Sequence, residues 1–458
     1  YSDALLFYRM GDFYELFFKD AEIASAALNI TLTKRGKHKN LDIPMCGVPY
    51  HSSENYLLNL IRKGHKVAVC EQLEKPEEAK KRGYKEVVKR DVVRLITPGT
   101  LTDEGLLDER KNNFLLSYIE NNNNYGVSWA DISTGEFYCS ELDKDDLLSL
   151  INRISPSEIL TVGKNEETIN YANFTQKIII TPLLEQDFDI ALAKKRLGEI
   201  YCLKSPNLVD GFSLNEISAM GALLSYLEIT QCGKLAFLMT PTREASDLYL
   251  KIDAASRRSL EISQTLSGTV RGSLLESVNH TITSGGARLL KTRLNCPSLD
   301  VIEIKERQVA ITFFIENKFL MDTLRENLKH APDMQRSLTR LVLSRGSPRD
   351  LSIVRNCLRS IKNIMTIFLK PTIPPVLDNI ISNLDGFDSL LDFLNSALVE
   401  NPSILIKDGN FIRSSHDSNL NENRSIKMEV QTLVASLQLR YNKLTEVNSL
   451  MIKFNNIL

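Results

Sequence analysis

An aromatic ring and a carboxylate lie two residues apart near the beginning of the chain. Phe13 and Glu15 belong to the stretch GDFYELF, which directly follows the apolar run ALLFYRM. A ring that projects outward can stack on any base, because every base has a π face, and such stacking is worth about 1–3 kcal/mol per base. A carboxylate repels phosphates, so beside a nucleic acid it makes sense only as an acceptor for a mispaired base. The pair could therefore test how a base is paired.

The same stretch also fits an ordinary helix start. Asp12 is a good N-cap residue, and Glu15 three positions later could complete a capping box. Phe13 would then begin a stripe with the spacing of a core face. That stripe consists of Phe13, Phe17, Ala21, Ala24 and Leu28. The pattern alone favours this structural interpretation and predicts a helix from Asp12 to about Leu28, but spacing cannot choose between the two.

Basic residues are concentrated a short distance further on, in the run Lys34-Arg35-Gly36-Lys37-His38-Lys39. This run is predicted to form a loop just after a strand. The chain as a whole has a formal net charge of −1, so no overall basic field indicates a nucleic-acid partner. A local basic patch can still bind one, because acidic residues elsewhere balance it in the total.

Length and composition describe a folded protein of several domains. A chain of 458 residues predicts about three domains. The seven cysteines form no C-x-x-C pair, which indicates reduced thiols in an intracellular protein. The six histidines show no metal-ligand spacing, so no zinc site is expected. No apolar stretch is long enough to predict a membrane segment.

Hydrophobic periodicity divides the chain into three parts. Residues 1–95 alternate strand-like and helix-like stretches and predict a small mixed α/β domain. Residues 96–105 contain Pro and Gly at positions typical of a linker. Residues 106–240 predict a second α/β domain with a hairpin turn at Ser133-Thr134-Gly135. From about 245 the pattern is almost wholly helical, and the part up to 422 predicts a helical core.

The last segment, 423–458, predicts one long helix that acts as a strut or lever. Its apolar residues recur at spacings of three and four. They include Ile426, Val430, Leu433, Leu437 and Leu444. With no antiparallel partner in the sequence, this stripe is expected to be exposed.

The segment RMGDFYELF resembles the mismatch-recognition motif of the MutS family of DNA mismatch-repair proteins, whose signature is Phe-x-Glu on a wedge that enters the minor groove. The resemblance continues in order through essentially the whole chain. It includes the segments IPMCGVPYHSSENYLLNLIRKGHKVAVCEQ, VVRLITPGTLTDEGLLDER, VSWADISTGEF, GSLLESVNHTITSGGARLLKTRLNCP and RLVLSRGSPRDL.

The resemblance implies a multidomain α/β plus α architecture. It assigns 1–95 to a mixed α/β mismatch-binding domain and 106–240 to a connector with a ribonuclease-H-like α/β fold. The all-helical core then covers 245–422. The final 423–458 become a lever helix that leads into a DNA clamp.

Residue roles follow from the same resemblance. Phe13 would wedge beside a mispaired base, and Glu15 would hydrogen-bond that base. Met10, Lys34 and Arg35 would contact the groove or the backbone. The implied partners are double-stranded DNA with mismatches or small insertion/deletion loops, a second copy in a homodimer, and a MutL-type downstream repair protein. The implied location is the bacterial cytoplasm, in association with the nucleoid.

Full-length members of the family carry an ABC-type ATPase domain, which uses ATP and Mg²⁺. The sequence holds no G-x-x-x-x-G-K-[ST] motif, so no phosphate-binding loop is expected in this chain. The chain is therefore expected to be a fragment that hydrolyses no ATP and needs no cofactor, whereas the complete protein would be a DNA-dependent ATPase.

Two other functions remain open. The 106–240 unit could be an active ribonuclease-H-like nuclease, which would need several carboxylates around two metal ions. Asp131 lies on a candidate strand there, but no convincing acidic set assembles around it. The chain could instead be a structural relative that acts at DNA junctions, although such branches lack the Phe-x-Glu domain.

Overall fold

The computed structural model describes residues 1, 3–74, 76–82, 87–163, 178–201, 208–233, 237–245, 248–369, 372–447 and 450–452. Its strands are β1 (Ala4–Met10), β2 (Phe13–Phe17), β3 (Thr33–His38), β4 (Leu41–Pro49), β5 (Lys66–Gln72), β6 (Arg90–Ile96), β7 (Phe114–Asn121), β8 (Asn124–Asp131), β9 (Glu136–Leu142), β10 (Glu158–Val162), β11 (Ile179–Leu183) and β12 (Thr242–Arg243).

The described helices of the two sheet units are α1 (Phe18–Leu28), α2 (Ser53–Arg62), α3 (Pro76–Arg82), α4 (Lys144–Ile154), α5 (Ile190–Tyr201) and α6 (Leu214–Thr230). Those of the helical part are α7 (Ala254–Ser259), α8 (Leu274–Val278), α9 (Ser284–Asn295), α10 (Val301–Glu316), α11 (Lys318–Leu328), α12 (Met334–Val342), α13 (Pro348–Ile367), α14 (Pro375–Ser382), α15 (Asp388–Ala397) and α16 (Ser418–Thr445). The predicted succession of two mixed α/β units and a helical part is confirmed.

The first six strands form the N-terminal sheet, in the order β3-β4-β2-β1-β5-β6. β1 runs parallel to β5, and the other neighbouring strands are antiparallel. Helices α1 and α2 pack on one face, where Phe7, Leu16 and Leu60 are fully buried. We call the other face, on which Phe13 lies, the open face.

The predicted helix from Asp12 to Leu28 is wrong in its first third. Residues Phe13–Phe17 form strand β2, and the helix begins only at Phe18. Phe17 occupies the N-cap position without a side-chain hydrogen bond, so neither Asp12 nor Glu15 caps the helix. Strand pairing on both sides of β2 supplies more backbone hydrogen bonds than an extra helical turn would.

The segment predicted as a linker, residues 96–105, is held in place by hydrogen bonds to the rest of the chain. It contains two short 3₁₀ turns, Pro98–Thr100 and Glu104–Leu106. The fully buried carboxylate of Glu158, on β10, accepts hydrogen bonds from Thr97 Oγ1 at 2.5 Å and from the Gly99 amide at 3.0 Å. The same carboxylate accepts from Thr181 Oγ1 at 2.6 Å and from the hydroxyl of Tyr226 at 2.7 Å.

The helical part contacts the chain immediately after this segment. Arg336, on α12, is buried and donates to the carbonyl oxygens of Asp108 at 3.0 Å and Lys111 at 2.6 Å. Arg288, on α9, donates to the carbonyl of Glu109 at 2.9 Å and forms an ion pair with Asp333 at 2.6 Å. The three parts of the chain therefore meet at residues 97–111.

The second sheet, which we call the connector sheet, has the order β11-β10-β7-β8-β9-β12. β7, β8 and β9 are antiparallel, and β8 and β9 are joined by the predicted turn at Ser133-Thr134-Gly135. β10 and β11 add in parallel on the far side of β7. Apolar clusters fill both faces, with α5 and α6 on one and α4 on the other.

The helical part is built on amphipathic helices. On α13, Val354 and Leu358 lie four residues apart on one helical face and are buried against Leu391 and Leu394 of α15. The final helix α16 begins five residues earlier than the predicted Asn423. Large apolar side chains on it are exposed, among them Ile426, Met428, Leu433, Leu439 and Leu444. Of the predicted stripe, Ile426, Val430, Leu433 and Leu444 are exposed and Leu437 is half-buried, so the expected exposure holds for four of its five residues.

Across the part of the chain that the structure describes, every helix is too short or too polar to cross a bilayer.

Candidate nucleic-acid interface

Phe13 lies beside a tight hairpin. Met10 on β1 pairs directly with Phe13 on β2, which leaves only Gly11 and Asp12 in the turn. Gly11 has a φ of 60°, the left-handed value that the first residue of a type II′ hairpin requires. The ring of Phe13 is on the open face, and the residue is 48% exposed.

The position of Phe13 is fixed by neighbours on both sides. Its other strand partner is Pro49 at the end of β4. The Tyr50 amide donates to the Asp12 carbonyl at 2.8 Å, which attaches the hairpin turn to the start of the next segment. Half-buried Met10 stands beside the ring on the same face. An exposed ring on a doubly paired strand is therefore held in one place.

Glu15 lies on the same face as Phe13, because alternate residues of a strand point to the same side. Tyr14, which lies between them, and Leu16, which follows Glu15, point into the core. Both carboxylate oxygens of Glu15 accept from a single nitrogen of Arg35, Nη1. The structure thus brings together Met10, Phe13, Glu15 and Arg35, four of the five residues predicted to form the site.

The basic run is a strand and not a loop, which corrects the prediction. Thr33–His38 form the edge strand β3, because the polar run pairs with β4 through a two-residue turn at Lys39 and Asn40. All six residues of β3 are exposed. The strand and the beginning of β4 project as a basic ribbon next to the open face.

Lys34 has a partner of its own in this ribbon. Its ammonium lies 2.7 Å from the Asp42 carboxylate on β4. The hydrogen bond and the charge of Asp42 raise the pKa of Lys34. Lys34 and Arg35 are therefore neighbours in sequence but belong to different ion pairs.

Arg9 and Tyr50 support the hairpin from the core side and were not predicted. The guanidinium carbon of Arg9 lies 3.3 Å from the centre of the Tyr50 ring, and Arg9 Nε donates to the Gly11 carbonyl at 2.5 Å. Tyr14 donates to Glu71, and burial together with that hydrogen bond raises the pKa of Tyr14. The alternation of side chains along a strand places Arg9 on the same face as Phe7 and is the only feature of the sequence that indicates this contact with Tyr50.

Asp131 in the connector sheet is used by the turn that follows it. Its Oδ1 accepts from the Ser133 amide at 2.9 Å and the Ser133 hydroxyl at 2.6 Å, and its Oδ2 accepts from the Asn113 amide at 3.0 Å. Among the described residues, no three His, Cys, Asp or Glu side chains are grouped so that they could hold a metal ion. The contacts of Asp131 are those of a structural carboxylate.

Family models match three consecutive parts of the chain. The model described as MutS domain I matches residues 1–105, that of MutS domain II residues 113–238, and that of MutS domain III residues 255–453. The chain belongs to the MutS family.

Relatives at high identity carry the name DNA mismatch repair protein MutS. The protein of Ruegeria pomeroyi is 48% identical over 459 residues, which covers 100% of this chain and 52% of that protein. The proteins of Ruegeria sp. (strain TM1040) and Roseobacter denitrificans are 48% and 45% identical, again with 100% of this chain and 52% of each relative covered. The chain thus spans about half the length of the curated relatives it matches.

Proposed function

We propose that this chain recognises mispaired or unpaired bases in double-stranded DNA and so initiates mismatch repair. The observation that supports this most strongly is the placement of Phe13. A large aromatic ring is half exposed on a rigid, doubly paired strand, next to a carboxylate and a basic ribbon. An ordinary core position would bury that ring.

The proposed mechanism tests how easily the duplex deforms. A wedge residue that enters the minor groove unstacks a base step and kinks the DNA, and this costs a few kcal/mol. The cost is lower at a mismatch, because the mispaired step is already weakened. Stacking of the base on Phe13 offsets part of it. Glu15 would accept a hydrogen bond from the displaced base and repel the phosphates of well-paired DNA.

The remaining groups of the interface have supporting roles in this proposal. Met10 stands directly opposite Phe13 and would widen the apolar wedge. The exposed ribbon would lie along the sugar-phosphate backbone, with Lys34 and Arg35 as its contacts. Because Lys34 is paired with Asp42, its contribution to phosphate binding is expected to be smaller than that of a free lysine.

The other parts of the chain would carry the signal away from the mismatch. The connector sheet has three antiparallel strands, with two parallel strands added on one side and the short parallel strand β12 on the other, which fits a ribonuclease-H-like connector. The helical part and α16 would form the core and the lever. In the complete protein we expect a homodimer, a MutL-type partner, and an ATPase that uses ATP and Mg²⁺. The chain itself is proposed to have no enzymatic activity.

The nuclease alternative receives no support from Asp131, whose two oxygens accept hydrogen bonds from Ser133 in its own turn and from Asn113. Two-metal cleavage needs converging carboxylates that can bind cations. A structural role at DNA junctions would leave the exposed Phe13 and its paired Glu15 without a use.

Binding of the complete gene product to matched and mismatched duplexes tests the proposal. The duplexes should be identical except for one G·T mismatch or one unpaired T. Phe13→Ala should abolish the preference for the mismatched duplex, and Glu15→Ala should tighten binding to the matched duplex. A Phe13→Ala variant that still discriminates would show that Phe13 is not the wedge, and cleavage of either duplex with Mg²⁺ or Mn²⁺ would favour the nuclease.

A further inference from the structure

Glu15 and Arg35 meet although their strands are not neighbours. Strand β4 lies between β2 and β3 in the N-terminal sheet. Adjacent strands are about 4.8 Å apart, so the two side chains must together cross about 10 Å. They nevertheless form an ion pair in which Arg35 Nη1 holds both oxygens of Glu15. This contact requires specific features of the backbone.

The first feature is a bulge in the ribbon. Lys34 pairs with Pro44 and Lys37 with Asp42, so β3 uses three steps where β4 uses two. The extra residue falls at Arg35 and Gly36, and Gly36 has a φ of 77°. A bulge re-aims the side chains beside it. Here it directs Arg35 across the sheet to Glu15 on the open face.

The second feature is a gap on the intervening strand. Gly47 is the residue of β4 directly opposite Glu15. A β-carbon at this position would lie 3.8 Å from Cγ of Glu15. A longer side chain would compete for the space over β4 that the Glu15 side chain uses. Gly47 therefore leaves Glu15 room to reach toward β3.

The two members of the pair are unequally exposed. The Arg35 side chain is 48% exposed and that of Glu15 only 13%, so the guanidinium covers the carboxylate on the solvent side. In this state the pair is electrically neutral, and both oxygens of Glu15 are occupied. A base that approached Phe13 would meet a carboxylate that is largely covered and whose charge Arg35 already neutralises.

We propose that Arg35 is a specificity-determining residue that holds Glu15 in the free protein and exchanges it for a backbone phosphate when DNA docks. This deepens the proposed function and rests on it. A guanidinium binds carboxylate and phosphate with the same geometry, so the exchange keeps Arg35 paired throughout. A partly exposed ion pair contributes little stability, so it breaks readily. Glu15 is thereby uncovered only beside a docked duplex.

The salt dependence of binding reports the exchange. With the complete gene product and a perfectly matched duplex, Arg35→Gln should reduce the slope of log K against log salt by about 0.9, the value for one phosphate contact. An Arg35 that stayed on Glu15 in the complex would release no counterion, and the slope would not change. An unchanged slope therefore overturns the proposal.

A second variant gives the same answer independently. Glu15→Gln should leave the slope unchanged, because Arg35 reaches the phosphate with or without Glu15. A slope steeper by about 0.9 in Glu15→Gln would mean that Glu15 normally keeps Arg35 away from the DNA. That outcome also contradicts the exchange, and it can be measured even if Arg35→Gln does not fold.

A double-mutant cycle tests whether the pair exists in the free protein. Arg35→Gln should weaken binding to the matched duplex less in the parent protein than in the Glu15→Gln variant. In the parent protein, Arg35 must first leave its ion pair with Glu15 before it can bind a phosphate, so its net contribution to binding is smaller. The two effects should differ about two- to fivefold, the range for a partly exposed pair. Equal effects would overturn the proposal.

Lys34→Gln provides the matched control, since Lys34 is adjacent to Arg35 but pairs with Asp42. The effect of Lys34→Gln on binding to the matched duplex should be the same whether or not Glu15→Gln is also present. These measurements use matched DNA, so their outcome is separate from that of Phe13→Ala on mismatch preference. Either result can fail while the other stands.

Discussion

The N-terminal sheet and the connector sheet have six strands each but differ in how many faces they bury. In the connector sheet, seven of the eight residues of β8 are buried, and apolar clusters fill both sides. In the N-terminal sheet, helices cover one face, and β2 alternates between buried Tyr14 or Leu16 and residues that reach solvent. On the other face a small cluster of Ala4, Ala68 and Leu95 is buried, but the part around Phe13 is free and can present side chains to a ligand. A sheet that is covered on both faces lacks such a surface.

The largest expected difference concerns stability. Trp129 is 2% exposed in the connector sheet, and Trp129→Ala should lower the free energy of unfolding by about 3–5 kcal/mol through loss of buried surface and a cavity. Phe13→Ala should change it by no more than about 0.5 kcal/mol. Urea unfolding of both variants tests the contrast. Comparable losses would mean that Phe13 belongs to a core.

The buried carboxylate that joins the sheets should have the next largest effect. Glu158→Gln keeps the shape but turns an amide NH₂ group either toward Thr97 and the Gly99 amide or toward Thr181 and Tyr226. We expect a loss of about 1–3 kcal/mol, because at least one buried polar group is left unpaired. Proteolysis between the two sheets should also become faster. A variant as stable and as resistant as the parent would show that the segment 97–100 is held by other contacts.

The hairpin turn should show a smaller effect that is specific to DNA binding. Gly11→Ala should cost about 1–2 kcal/mol, because a residue with a β-carbon is strained at a φ of 60°. Gly163→Ala is a matched control, since Gly163 has a φ of 57° and, like Gly11, open space where a β-carbon would lie. Both changes should reduce thermal stability similarly, but only Gly11→Ala should weaken mismatch preference, because it moves Phe13.

The smallest effect is expected at a carboxyl group of the connector sheet. Burial, and then the negative charge of Asp131, raise the pKa of Glu136. A raised carboxyl pKa destabilises the folded state above the folded pKa, and this penalty disappears as pH falls below the unfolded value near 4.5. Glu136→Gln should therefore raise the melting temperature at pH 7 and lose that advantage toward pH 4. A gain independent of pH would point to packing.

Much of the architecture could be predicted because the connector and helical parts have long, consistent patterns. The β8–β9 hairpin and the stripe of α13 follow directly from periodicity. The helix predicted from Asp12 failed because Phe13 and Phe17 satisfy both the helical spacing of four and the strand spacing of two. Gly11 and Asp12 form a two-residue hairpin turn, and recognising that turn would have decided between them.

The candidate site was only partly accessible to sequence reasoning. The types and spacing of Phe13 and Glu15 made them candidates, but only the resemblance to the MutS family favoured a DNA-binding role over a helix start. The contact between Arg35 and Glu15 depends on a bulge and on a glycine of the intervening strand, and it joins residues twenty positions apart. Arg9 and Tyr50 likewise meet only because of the strand order. Such cross-strand contacts arise from register, which a single sequence does not encode locally.

The segment at residues 97–111 has a mechanical consequence. Glu158 fixes it to the connector sheet at one end, and Arg336 fixes it to the helical part at the other. A joint held by buried hydrogen bonds has little compliance. The force of bending DNA against Phe13 would therefore be transmitted through this segment to the connector sheet and the helical part, whereas a flexible linker would absorb it. The stiffness of this short joint would then set how much of the strain in a kinked duplex reaches α12.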